Sequence, residues 1–107
     1  MKLQWSVLAL VLFSGVVLAD DLNVRIIAKG GKFDQSRIEV PANQPFSLTV
    51  VNEGSSAIEF ESKSLRQEKV IGPGKSATLN IKPLKAGSYK FFDEYHEATG
   101  KGEIVAR

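Results

Sequence analysis

The chain has 107 residues, room for one domain, with 14 Lys+Arg against 12 Asp+Glu and a formal net charge of +2. That balance excludes a dedicated nucleic-acid binder, and 43% hydrophobic with 24% charged residues excludes intrinsic disorder. There is no cysteine and only one histidine. Disulfide scaffolds, thiolate zinc sites, iron–sulfur centres, cysteine nucleophiles and multi-histidine metal cages are therefore excluded.

Residues 1–19 read as a secretory signal. Lys2 supplies the positive start, Val7 to Phe13 and Gly15 to Leu18 the apolar run, and Val17-Leu18-Ala19 the small-residue cleavage site. The run is short for a membrane span, which needs about 20 residues, and no second one follows. Cleavage there, rather than retention as an N-terminal anchor, leaves an expected secreted domain of 20–107. A secreted domain of this size without disulfides must rely on its core alone.

After the signal, short alternating runs follow one another. Leu22, Val24 and Ile26 alternate with Asn23 and Arg25, and Gly30-Gly31 breaks the run. Ile38 and Val40 lead to Pro41; Phe46, Leu48 and Val50 alternate with Ser47 and Thr49. Ile58 and Phe60 form an apolar pair, and Ser62 to Lys69 reads as one helical turn or an irregular excursion. Val70-Ile71 precedes Gly72-Pro73-Gly74, then Ala77, Leu79 and Ile81 alternate. Tyr89 and Phe91 follow Gly87, and Ile104 closes the series. Seven or eight strands at roughly 8–12-residue spacing predict an all-β sandwich.

Candidate chemistry gathers in two places. In the run Phe91 to Glu97, parity is informative, because side chains alternate faces along a strand. If Tyr89 and Phe91 point inward, so does Asp93, and an inward carboxylate must be paired, hydrogen-bonded to loop amides or bound to a cation. His96 lies three residues on, among acids that favour a ligand role. The second place is Glu59 and Glu61, which share a strand face opposite Ile58 and Phe60. The plain reading is a solvent-facing pair; the sharper one brings them to Asp93, His96 and Glu94. Oxygen donors with one imidazole suit iron, copper, manganese or zinc. Arg66 and Glu68 read as surface ion-pair formers.

Pro73-Gly74, Ala77 to Ile81, Gly87-Ser88-Tyr89-Lys90-Phe91 and the loop Asp93 to Gly102 follow in the order seen in cupredoxins, which the C-terminal half resembles. Blue-copper members carry a cysteine after the Tyr-x-Phe-Phe strand, where this chain has Asp93. Met1 is the only methionine, so nothing replaces the methionine ligand. Glu59-Phe60-Glu61-Ser62, Arg66 to Ile71 with Pro73-Gly74, and Phe91 to His96 are more similar still to EfeO-type cupredoxin-like domains of bacterial periplasmic iron uptake. That resemblance implies a Greek-key sandwich and a mononuclear iron or copper site, not blue copper, held by Glu59, Glu61, Asp93 and His96, with Glu94 and Glu97 as weaker candidates. It also implies work beside a membrane iron permease and other periplasmic iron-uptake components.

The expected function is therefore a periplasmic metal-binding protein that delivers metal or accepts electrons from Fe²⁺ for uptake. Two alternatives stand beside it. A ferroxidase would consume oxygen on adding Fe²⁺, although one mononuclear site cannot store four electrons. A metal-free interaction module would take up no metal at all.

Overall fold

The computed structural model describes residues 22–107; the expected signal segment, 1–19, lies outside them. Nine strands follow in order: β1 (Asn23–Lys29), β2 (Lys32–Phe33), β3 (Arg37–Val40), β4 (Phe46–Asn52), β5 (Ile58–Ser62), β6 (Gln67–Ile71), β7 (Ser76–Ile81), β8 (Gly87–Asp93) and β9 (Lys101–Ala106). One 3-10 turn, Glu94–His96, stands between β8 and β9. Eight of the nine fall on the alternating runs. The ninth, β2, has two residues and no alternation to announce it. Among the described residues no helix is long and apolar enough to cross a membrane.

The strands form two mixed sheets, ordered β2-β1-β4-β7 and β3-β9-β8-β5-β6. β1 runs parallel to β4 and β3 parallel to β9, whereas the remaining pairs are antiparallel. This is the predicted β-sandwich, with the core between the sheets. Period-2 alternation decides which residues enter it. Ile26, Leu48 and Val50 face inward from one sheet, and Phe60, Phe91 and Ile104 from the other; each is at most 1% exposed. Burying one such side chain stabilises the fold by about 1.5–3 kcal/mol.

An aromatic group fills the core beneath β5 and β8. Phe60 and Phe91 stack with centroids 5.3 Å apart, and Phe33 meets Phe91 edge-on at 5.2 Å. Phe91 lies directly over Gly102, where a Cβ would come within 2.4 Å of the ring. Only glycine fits at that crossing of β8 and β9.

The segment Ser62 to Lys69, expected as one helical turn or an irregular excursion, is a tight turn leading into β6. Residues 63–66 turn tightly from β5 to β6. Ser62 Oγ donates to Lys90 O at 2.6 Å and accepts from Leu65 N at 3.2 Å. Leu65 is thereby drawn into the core at 8% exposure. Arg66 takes a left-handed backbone, φ 58°, to close the turn. Local side-chain hydrogen bonding of this kind competes with a helix and here wins.

Candidate metal centre

β5 carries Ile58, Phe60 and Ser62 into the core and so presents Glu59 and Glu61 on the outer face of the five-stranded sheet. The tight 63–66 turn sets the β5–β6 register, which places Glu68 directly opposite Glu61. Glu94, first residue of the 3-10 turn, follows β8 on the other side of β5. Glu59, Glu61, Glu68 and Glu94 each offer a carboxylate oxygen, and these oxygens all lie within 4.8 Å of one another.

Like charges directly opposed on neighbouring strands repel. Among the described residues no lysine, arginine or histidine makes an ion pair with any of the four. Two of the four, Glu59 and Glu94, are held above the ordinary carboxylate range by their neighbours. A hydrogen bond with the Glu68 carboxyl, then desolvation and the charges of Glu94, Glu68 and Glu61, push Glu59 up to about 7. Glu94 is raised as well, first by a hydrogen bond with Glu61, then by desolvation and the charges of Glu61, Glu68 and Glu97. An acid that holds its proton near neutrality because of its neighbours, as Glu59 does, will exchange that proton for a cation.

Asp93 and His96 occupy the other side of the same sheet. Asp93 pairs with inward-facing Phe60 and is 2% exposed, as its parity requires. Its Oδ1 accepts from Glu59 N and from Tyr95 N, both at 3.0 Å. Its Oδ2 meets His96 Nδ1 at 2.7 Å. The His96 carbonyl accepts from Gly100 N at 2.8 Å, and Gly100 O in turn accepts from Asp93 N at 2.8 Å. A Cβ at Gly100 would approach the Asp93 Cβ to 2.9 Å, so the loop can close only on glycine.

Of the residues expected in one site, the structure brings Glu59, Glu61 and Glu94 together. It joins Asp93 to His96 separately, on the opposite face. Glu97 stands near enough to Glu94 to raise its pKa. Glu68, read as an ion-pair former with Arg66, faces Glu61 instead, and no Arg66–Glu68 pair occurs among the described residues. The signal that could have found Glu68 is its distance from Glu61. A hairpin with a four-residue turn between Ser62 and Gln67 makes the two cross-strand neighbours.

Two mixed sheets packed face to face form a cupredoxin-like sandwich. The chain belongs to the cupredoxin-like domain family, whose model matches residues 3–106. It is 36% identical over 84 residues to an uncharacterized protein of Rickettsia prowazekii (strain Madrid E), covering 78% of this chain and 67% of that one. Solved structures share the fold at low identity. Auracyanin A, a "blue" copper protein from the green thermophilic photosynthetic bacterium Chloroflexus aurantiacus, superposes with TM-score 0.69 at 12% identity, covering 81% of this chain and 99% of its own. A chain of a heme-copper terminal oxidase dimer gives 0.72 at 13%, covering 98% and 92%.

Proposed function

We propose that this domain is a metal-binding member of its family that takes a hard cation on the outer-face glutamates, Glu59, Glu61, Glu68 and Glu94. The observation that supports the reading is the convergence of their four carboxylate oxygens within 4.8 Å without a basic partner among the described residues. The copper of the blue-copper relatives does not fit this chain, because its thiolate and thioether ligands have no counterpart: there is no cysteine, and the one methionine is Met1. All-oxygen donors suit iron or manganese, and four negative charges favour Fe³⁺ over Fe²⁺. A bound iron would for that reason give up an electron more readily than the aqueous ion.

In this reading the domain works in the periplasm. It hands metal to a membrane iron permease and its associated iron-uptake components. Glu59, whose carboxyl is raised to about 7, releases its proton as the ion enters, so uptake is coupled to proton loss.

Calorimetric titration of the purified protein with Fe³⁺, Fe²⁺, Mn²⁺ and Cu²⁺ tests the proposal. One equivalent of a hard cation should bind to wild type, and Glu61→Gln combined with Glu68→Gln should abolish that binding. An intense blue copper complex, or equal binding by wild type and the double variant, would overturn it.

A further inference from the structure

We propose that Asp93 is a positioning residue that locks the two halves of the carboxylate cluster into one site from the far side of the sheet, an inference that rests on the cation reading above. The cluster is assembled from separate pieces of chain. Glu59, Glu61 and Glu68 ride on the β5–β6 hairpin, whereas Glu94 rides on the turn after β8. Pairing between β8 and β5 runs only to Asp93 opposite Phe60. Beyond that point β8 gives way to the 3-10 turn, and Glu59 N–H finds its acceptor in a side chain instead of a strand.

Asp93 Oδ1 supplies that acceptor at 3.0 Å and accepts from Tyr95 N at the same distance. One oxygen atom thus ties the backbone of Glu59 to the turn that begins with Glu94. The second oxygen is held by His96 Nδ1 at 2.7 Å, which stops the carboxylate from rotating. The imidazole is backed by Gly31, whose place a Cβ could take only at 3.1 Å from the ring. Two backbone amides and the His96 ring already engage Asp93, and it lies on the core side of β8, so it serves the cation through the backbone and not as a ligand. Partners that orient metal ligands from outside the coordination sphere typically change affinity by about 10–100-fold when removed.

The test uses Tb³⁺ as the probe, with emission sensitised by Tyr95, which adjoins Glu94 and is 52% exposed. Wild type, Asp93→Ala, Asp93→Asn and Glu61→Gln are titrated. Luminescence lifetimes in H₂O and D₂O count the waters left on the ion, and amide hydrogen exchange at Glu59 is followed without metal. Asp93→Ala should bind about 10–100-fold more weakly. It should also leave more waters on the ion and speed exchange at the Glu59 amide. Asp93→Asn keeps a carbonyl oxygen for both amides, so it should bind several-fold more tightly than Asp93→Ala, with the wild-type water count and slow exchange.

If Asp93→Ala does not fold, Asp93→Asn set against Glu61→Gln decides. An asparagine variant that loses affinity and gains water as Glu61→Gln does would mark Asp93 as a ligand and overturn the inference. Unaltered binding by Asp93→Ala would overturn the inference alone. A wild type that takes up no Tb³⁺ would overturn the cation reading, and this inference with it.

Discussion

Two acidic groups sit on opposite faces of the five-stranded sheet, and their settings differ in kind. Asp93 is deeply buried, yet its carboxyl oxygens accept from two backbone amides and meet the His96 ring, so both are partnered within the protein. Glu59, Glu61, Glu68 and Glu94 are more accessible to water yet face one another without a basic partner among the described residues. Burial alone therefore does not identify a ligand. An inward carboxylate satisfied by backbone amides holds the fold together. Carboxylates left opposed to one another store repulsion that a proton or a cation relieves.

Substitutions on the two faces should separate these roles. The largest effect is expected beneath Asp93. Phe91→Ala removes a ring stacked on Phe60 and should cost about 3–5 kcal/mol in urea unfolding. Asp93→Ala comes next. It leaves the amides of Glu59 and Tyr95 without their acceptor and should cost about 1–3 kcal/mol in metal-free protein. A neutral result there would erase the contrast between the faces.

The outer face should respond with the opposite sign. Glu68→Gln removes a like charge facing Glu61 and should raise metal-free stability at pH 8 by about 0.2–1 kcal/mol while weakening metal binding. The gentlest test is a pH slope. Glu59 in the folded protein is raised from 4.5 to about 7, so folding favours its protonated form. Metal-free stability from this group is present at acidic pH and is lost as pH climbs from about 4.5 through 7. Thermal melts across that window should show the decline, and Glu59→Gln should flatten it.

Much of this arrangement was legible in the residues, because strand alternation is a strong code where one face is buried. It places Phe60 and Phe91 in the core, turns Glu59 and Glu61 outward together, and points Asp93 inward. The same parity that puts Asp93 with Phe60 turns it away from Glu59 and Glu61, so the three do not project from one face of the sheet. Glu68 was hidden for a different reason. Its position depends on the register across residues 63–66, and that turn closes on Arg66 at φ 58°. Glycine or asparagine would have announced a left-handed residue; arginine does not. The Asp93–His96 contact was equally invisible, since it depends on how the loop is pulled back by Gly100.

The parallel pairing of β3 with β9 bears on how the chain acquires its structure. β9 fills the gap between β3 and β8, joining residues as far apart as Arg37 and Glu103. Contacts of such long range close slowly, because loop entropy is lost before pairing compensates. Until β9 docks, β8 exposes a row of unpaired amides and carbonyls to any neighbouring chain. The adjacent β5–β6 hairpin carries Glu59, Glu61 and Glu68 on its outward face. Mutual repulsion between copies at those glutamates would protect the unfinished sheet from aggregation while the last strand arrives.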